Sequence, residues 1–329
     1  MTGMIKKILT LFCLTAFGFT GMLMGQDQKP SGSHQTVKLN PVKQDTANKN
    51  QGKKQLTKQQ ARDAIFNTNK VQQQDLTPQQ KDAEAYFTEG SRKGKQGNYE
   101  GAITDFTKSL QYAENAMTYM KRGYSYMLSG QYALAIEDEN RSLSLANANA
   151  KAYFVRGASK FHLNDIEGAD EDLFNALDLE RNNAAAFNYM AGIKFMKQDY
   201  KEALENYSYV IKLDSAFPDA FTNRGMVRHY LQDFNGAIMD YNIALKKNPK
   251  NSSAYNNRGA AKLMLKDYQG ALKDFNLAIE LNSSYADAYN NRGRVKNFLG
   301  DNEGACLDWN RAFDLGIPES KDMIIKYCK

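Results

Sequence analysis

The sequence predicts an all-α protein in which pairs of antiparallel helices stack into a solenoid. Three features predict this fold, and each occurs seven times at an interval of 33 or 34 residues. The first is a small residue, found at Gly90, Gly123, Gly157, Ala191, Gly225, Gly259 and Gly293. The second is an alanine twelve residues later, found at Ala102, Ala135, Ala169, Ala203, Ala237, Ala271 and Ala305. The third is an aromatic residue four before the small one, found at Tyr86, Tyr119, Tyr153, Phe187, Phe221, Tyr255 and Tyr289. This periodicity is typical of stacked units that cannot bury their apolar faces alone.

Residues 253–284 give the clearest copy of the unit. Its first half places small and apolar residues at helical spacing, namely Ala254, Tyr255, Gly259 and Leu263. Asp267 is then placed to cap a second helix that starts at Tyr268. We expect the same capping in other copies, at Asn98, Asp165, Asp199, Asp233 and Asp301. A glycine inside a helix costs about 1 kcal/mol relative to alanine, so we expect the two helices of a unit to approach closely at Gly259.

These features resemble the tetratricopeptide repeat family over about 240 of the 329 residues. The family's aromatic residue at position 24 is matched by Phe106, Tyr207, Tyr241, Phe275 and Trp309. Its small residue at position 27 is matched by Ala176, Ala244, Ala278 and Ala312. The resemblance implies a right-handed superhelical solenoid of seven helix-turn-helix repeats over residues 78–317. Residues 318–329 are expected to form a C-terminal capping helix, since the end of a solenoid must be covered for solubility.

Residues 1–25 have the pattern of an export signal. Lys6 and Lys7 precede an apolar run over residues 8–24, and polar sequence begins at Gln26. The run of 17 residues is short for a membrane span. We predict cleavage near Gly25, which would place the protein in the periplasm or cell envelope of a bacterium. An uncleaved N-terminus would instead associate the protein with the membrane.

Residues 26–77 are polar and rich in glutamine and lysine, with very few aromatic residues. Such a segment cannot bury enough apolar surface to offset the entropy of ordering it, so we predict a disordered linker. At its end, Thr77 and Gln80 have the spacing of a capping box, and Pro78 suits the first helical turn. The first helix is therefore expected to start at Pro78.

The net charge of +6 does not indicate nucleic-acid binding, because the excess lies outside the repeats. Lys6 and Lys7 belong to the predicted signal, and residues 26–80 contain nine Lys or Arg against four Asp or Glu. The repeats are left almost neutral, without the basic surface that nucleic-acid binding requires.

No catalytic or metal site is predicted. The three histidines are His34, His162 and His229. The last two belong to repeats three and five, and helix widths of about 8–10 Å keep them too far apart to share a metal or a proton. The sequence contains no glycine-rich phosphate loop, zinc-ligand spacing or Ser/His/Asp arrangement. We therefore expect a non-enzymatic protein without a cofactor.

Charged residues recur inside the repeats. Position 7 is arginine in five copies, at Arg122, Arg156, Arg224, Arg258 and Arg292. Position 23 is aspartate in six, at Asp105, Asp138, Asp172, Asp240, Asp274 and Asp308. Position 11 is lysine or arginine in six copies, and repeat four has lost both the arginine and the aspartate, as Met190 and Asn206. The joint loss favours a structural ladder of ion pairs over a ligand site. We expect Arg258 to pair with Asp274 or Asp240.

The predicted binding site lies on the inner face, which in this family is lined by first-helix positions such as 5, 6, 9, 12 and 13. Position 6 is asparagine in three successive repeats, at Asn223, Asn257 and Asn291. Asparagine both donates and accepts hydrogen bonds, and similar asparagines hold extended peptides in some family members. Position 13 adds apolar side chains suited to adaptable recognition, at Tyr230, Met264 and Phe298. We predict that these six residues bind peptide and that the asparagines face solvent; alternatively, the apolar ones fill gaps between repeats.

The leading hypothesis is an exported scaffold or adaptor that binds a protein or peptide partner. The alternative is a membrane-tethered spacer or assembly subunit whose contacts are lateral. The lysine and asparagine with which one subgroup of the family holds a terminal carboxylate, at positions 5 and 9, are matched in no repeat. Cys306 and Cys328 would remain after signal removal, and an oxidising compartment would permit a bond between them.

Overall fold

A computed structural model describes residues 76–146, 148–217 and 219–328. The predicted signal and nearly all of the predicted linker lie outside these residues. The helices, in repeat pairs, are α1 (Pro78–Lys95) and α2 (Tyr99–Tyr112), α3 (Ala116–Leu128) and α4 (Tyr132–Leu145), α5 (Ala150–His162) and α6 (Ile166–Leu179), α7 (Ala184–Met196) and α8 (Tyr200–Leu213), α9 (Ala220–Tyr230) and α10 (Phe234–Lys247), α11 (Ser252–Met264) and α12 (Tyr268–Leu281), α13 (Ala286–Phe298) and α14 (Asn302–Asp314), and the final α15 (Ser320–Tyr327). The described residues thus form the all-α stack of seven helix pairs that the periodicity predicts.

The order of contacts sets the shape of the stack. Each first helix packs against the second helix of its own repeat, and each second helix packs against the first helix of the next repeat. Neighbouring first helices also contact one another, for example α3 with α5 and α11 with α13, whereas the described second helices have no comparable contacts among themselves. The first helices therefore line the inner side of the stack.

The small residues lie where the two helices of a repeat meet. The alanine at position 20 is completely buried in all seven repeats, at Ala102, Ala135, Ala169, Ala203, Ala237, Ala271 and Ala305. A Cβ added to Gly259 would lie 2.9 Å from Phe275 Cε1. A side chain there would therefore displace the ring at position 24, which confirms the predicted close approach.

Helix starts follow the predicted capping, with one exception. At α1 the Thr77 hydroxyl accepts from the Gln80 backbone N–H, and the Gln80 side chain accepts from the Thr77 N–H, which completes the capping box. The side chains of Asn98, Asp165, Asp233, Asp267 and Asp301 likewise cap their helices.

Asp199 occupies the N-cap position of α8, but its side chain makes no capping bond, so the prediction was wrong there. The five cap residues that bond are each followed three residues later by glycine, and an added Cβ would overlap the capping side chain. In repeat four that position is Glu202, which has a Cβ. This difference gives the physical reason for the missing bond.

The last helix closes the C-terminal end of the stack. α15 packs against α14, and the Ser320 hydroxyl donates to Asn290 Oδ1 at 3.2 Å. The Tyr327 and Trp309 rings lie 5.5 Å apart between centroids. Cys306 and Cys328 form a disulfide, with Cα atoms 5.7 Å apart. None of the described helices is both long and apolar enough to cross a membrane.

The disulfide is expected to form in protein produced in an oxidising compartment, because the fold already brings the two cysteines together. Alkylation without reductant should then leave Cys306 and Cys328 unmodified, and alkylation after reduction under denaturing conditions should modify both. Mass spectrometry of the tryptic peptides reports each position separately from Cys13. Full modification of Cys306 and Cys328 in unreduced, oxidatively produced protein would contradict the bond.

Candidate functional site

The charged residues inside the repeats form ion pairs that belong to the fold. The arginine at position 7 donates two hydrogen bonds to the aspartate at position 23 of the same repeat. The pairs are Arg122–Asp138, Arg156–Asp172, Arg224–Asp240, Arg258–Asp274 and Arg292–Asp308. Every aspartate is buried. The predicted ladder is confirmed, and its charges are occupied with one another.

Arg258 shows how each rung also joins two repeats. Its Nε and Nη2 donate to Asp274 at 2.9 and 2.6 Å, which decides between the two predicted partners. Its Nη1 donates at 2.6 Å to Asn242 on the second helix of the preceding repeat. Its guanidinium lies over the Tyr255 ring, 5.3 Å from the centroid. Lys262 at position 11 adds a second cation, 2.7 Å from Asp274.

The ladder is interrupted where repeat four follows repeat three. Met190 is buried in place of the arginine, and Asn206 replaces the aspartate. Phe174 occupies the position on the preceding second helix where the other arginines find a hydroxyl or amide partner. Lys194 at position 11 has no aspartate at position 23 to pair with. Its Nζ instead lies 3.7 Å from a carboxylate oxygen of Asp170 and 3.4 Å from one of Glu202. In repeat four the arginine, the aspartate and the polar partner on the preceding helix are therefore all replaced together.

The three asparagines predicted to face solvent are buried, which corrects that expectation. Asn223, Asn257 and Asn291 are only 6%, 7% and 1% exposed. Asn291 donates to Asn256 at 3.1 Å across the junction of repeats six and seven, and Asn256 donates to Asn257 at 3.3 Å. Because neighbouring first helices are in contact, position 6 lies in the seam between repeats rather than on the open face.

Position 13 provides the accessible part of the predicted site. Four of its side chains are apolar and exposed, namely Leu128 at 40%, Met196 at 48%, Met264 at 51% and Phe298 at 57%. They lie at the ends of successive or alternate first helices, and we call them the inner apolar row. Phe298 stacks on Tyr268 of the preceding repeat at 5.2 Å, and Tyr230 stacks on Tyr200 at 5.2 Å. Each ring thus fills an inter-repeat gap with one side, as in the alternative interpretation, while Met264 and Phe298 remain accessible.

The two histidines of the described residues, His162 and His229, belong to aromatic packing, and His34 lies outside the described residues. His162 stacks on Tyr132 at 4.4 Å, and its Nε2 lies 3.0 Å from the Tyr189 hydroxyl. His229 packs edge-on against Phe234, and burial lowers its pKa to about 4, so it is neutral near pH 7. Within the described ranges no three His, Cys, Asp or Glu side chains are grouped as metal ligands.

Two unusual residues were missed at the sequence level. Glu139 occupies position 24 of repeat two, where most other repeats have an aromatic ring. It is completely buried, neither carboxylate oxygen has a hydrogen-bond partner among the described residues, and burial raises its pKa to about 10. Arg294, at position 9 of repeat seven, is partly buried without an ion pair in the described chain. Alignment of the seven copies shows that each is the only charged residue at its position, but the sequence does not show that either lacks a partner.

Two protein-family models match parts of the repeat region. A model described as tetratricopeptide repeat matches residues 252–285, and a second model with the same description matches residues 87–151. No curated protein matches the sequence significantly.

Solved structures match the fold over most of their own length. A tetratricopeptide repeat protein from Parabacteroides merdae is 17% identical, with a TM-score of 0.54, over 75% of this chain and 97% of its own. PilF of Pseudomonas aeruginosa is 18% identical, with a TM-score of 0.56, over 64% and 97%. The C-terminal part of a repeat-containing protein from Cytophaga hutchinsonii is 18% identical, with a TM-score of 0.54, over 72% and 98%. At these identities the comparisons establish the architecture.

Proposed function

Because this chain belongs to the tetratricopeptide repeat family, whose helix pairs provide surfaces for protein–protein contacts, we propose that it is a non-enzymatic scaffold or adaptor of a bacterial cell envelope. It binds a protein or peptide partner along the inner side of the stack. The inner apolar row carries this proposal. Large apolar side chains that are accessible at the same position of several repeats mark a surface for a partner with matching apolar residues.

The row suits a partner with an extended backbone. Its side chains lie at the same position of the first helices of repeats two, four, six and seven, and the helices of repeats six and seven adjoin. An extended segment lying across the helices would therefore meet these apolar contacts in succession, with Met264 and Phe298 on neighbouring helices. Methionine adapts its shape to different partner side chains. The hydrogen bond from Asn291 to Asn256 joins the first helices of repeats six and seven, which carry Phe298 and Met264.

Export from the cytoplasm is part of the proposal. The basic and apolar pattern of residues 1–25 supports it. The proximity of Cys306 and Cys328 also fits it, because the two residues can form a structural disulfide, and such bonds persist in oxidising compartments and are rare in the cytosol.

The alternative, an assembly subunit with lateral contacts, is supported by a different observation. Met239 and Leu307 on second helices and Ile325 on the last helix are 65%, 66% and 68% exposed. These side chains lie away from the first helices, so a partner that covers them would bind the outer side. The two functions therefore make opposite predictions for variants of the two sides.

Peptide display distinguishes the two sides. We expect immobilised wild-type protein to enrich apolar peptides from a random displayed library. The pair Met264→Ser and Phe298→Ser should weaken the enriched peptides at least tenfold, about 1.4 kcal/mol. The matched control is the pair Met239→Ser and Leu307→Ser, which should leave affinity within about twofold, since it removes two apolar side chains of at least the same exposure from the outer side.

Both variants should remain folded with only a small drop in thermal unfolding midpoint, because substitutions of exposed side chains usually change stability by less than about 0.5 kcal/mol each. The drop should be larger for the inner pair, since Phe298→Ser also removes the stacking on Tyr268. Loss of binding in the outer variant alone would support the lateral alternative. Failure of the wild type to enrich any peptide would contradict binding of extended segments by the inner face.

A further inference from the structure

Arg294 is an arginine withdrawn from solvent without an acidic partner. In the described chain, the other partly buried arginines all form ion pairs, and Arg181 and Arg311, which form none, are exposed. The acidic residue nearest along its own helix is Asp287, seven positions earlier, and the two make no ion pair. A desolvated charge is costly unless it is paired. The guanidinium thus has an unused capacity to bind an anion.

The surroundings of Arg294 supply further donors. Asn290 and Asn297 lie four residues before it and three after it, on the same face of α13. The Asn290 carbonyl oxygen is occupied by the Ser320 hydroxyl, which leaves the amide nitrogen of Asn290 as the available group. The corresponding residue in the preceding repeat is Ala260, whose methyl group offers no competing acceptor. This part of the inner side therefore presents donors to an incoming group.

Burial also lowers the pKa of Arg294, and no neighbouring charge contributes to that shift. Water is thus partly excluded from the guanidinium while no carboxylate of the described chain compensates it. A bidentate guanidinium–carboxylate contact is among the stronger charge-assisted hydrogen bonds, and partial desolvation increases its electrostatic strength.

We propose that Arg294 binds an aspartate or glutamate side chain within the partner segment that lies on the inner apolar row. Phe298 stands four residues after Arg294, so their Cβ atoms are about 5–6 Å apart. The partner segment accordingly carries its acidic residue beside a large apolar residue that contacts Phe298. This inference rests on the proposed function and adds a charge requirement to its apolar one.

The test uses the full chain and three synthetic peptide pools in which a phenylalanine is flanked by random uncharged residues. The first pool carries aspartate or glutamate within two residues of the phenylalanine and has both termini blocked. The second is identical but has asparagine or glutamine instead. The third also lacks the acidic side chain but has a free C-terminal carboxylate. We expect at least tenfold tighter binding of the first pool than of the other two, measured by fluorescence anisotropy.

Arg294→Gln should abolish the preference for the acidic pool, and Arg294→Lys should retain part of it. Arg311→Gln is the matched control, because it removes an exposed, unpaired arginine, and it should change affinity by less than about twofold. Arg294→Gln should also leave the thermal midpoint unchanged or raise it, since no internal ion pair is lost.

The outcomes separate this inference from the proposed function. If the acidic and amide pools bind equally, and the Met264/Phe298 variant still loses binding, the charge requirement is wrong and the apolar surface stands. Preference for the free C-terminal carboxylate would overturn the assignment to an acidic side chain. If binding survives both Arg294→Gln and the Met264/Phe298 pair, neither the charge requirement nor peptide binding by the inner apolar row is correct.

Discussion

Replacement of Asp274 by alanine is expected to lower the free energy of unfolding by about 3–5 kcal/mol. The substitution leaves Arg258 and Lys262 partly buried without their common partner, since both contact Asp274 at 2.6–2.7 Å. An uncompensated buried charge accounts for most of such a cost, whereas the pair itself contributes little over a well-packed apolar replacement. Urea unfolding followed by circular dichroism at 222 nm measures the change.

Repeat four supplies the control for this prediction. The double variant Arg258→Met and Asp274→Asn reproduces the residues that stand at these positions as Met190 and Asn206. Because it removes the unpaired arginine together with the aspartate, it should recover at least half of the loss. A single variant that costs less than about 1 kcal/mol would place the ladder among ordinary surface ion pairs.

Replacement of Glu139 by leucine is expected to raise the free energy of unfolding by about 3 kcal/mol at pH 7. Burial raises the pKa of Glu139 from its ordinary value of 4.5 to about 10. At pH 7 the carboxyl must therefore gain a proton on folding, and each pH unit above 4.5 costs about 1.4 kcal/mol. Leucine fits the position, since Leu173 is completely buried at the equivalent place in repeat three.

The dependence on pH identifies the cause of this effect. The folded pKa lies above the unfolded one, so the contribution is fully favourable below about pH 4.5 and is lost as pH rises toward 10. The stability gained by Glu139→Leu should therefore grow by about 3 kcal/mol between about pH 5.5 and 7.5. Glu139→Gln, the neutral variant of similar shape, should show the same growth. A gain that does not change with pH would mean that Glu139 is ionised or hydrated in the fold.

The repeat architecture could be predicted from the sequence because steric demands recur at fixed positions. The positions of Gly259 and Ala271 hold a small residue in every repeat, because the two helix backbones of the repeat meet there. The ladder was predictable for a related reason. Loss of the arginine or the aspartate alone would leave the other charge buried without a partner. Repeat four accordingly lacks both and has Met190 and Asn206 in their places.

The burial of individual side chains on the inner face could not be predicted from the repeat pattern. Whether Asn291 faces solvent depends on how closely α11 approaches α13, which is a property of the junction and not of either helix alone. The hydrogen bond from Asn291 to Asn256 spans that junction, and a pattern within single repeats contains no signal for it. Arg294 escaped prediction because its importance lies in the lack of a partner, which only the packed structure reveals.

The disulfide between Cys306 and Cys328 is expected to make the two ends of the stack unfold with different ease. In a linear array, unfolding begins most easily at an end, where a repeat has only one neighbour to lose. At the C-terminal end, the bond closes a loop with a sequence separation of 22 residues and keeps α15 tethered beside α14 even when the helix frays. The helix pair α1 and α2 has no such tether among the described residues. Amide protons of α1 are therefore expected to exchange with deuterium sooner than those of α14, and reduction should remove that asymmetry.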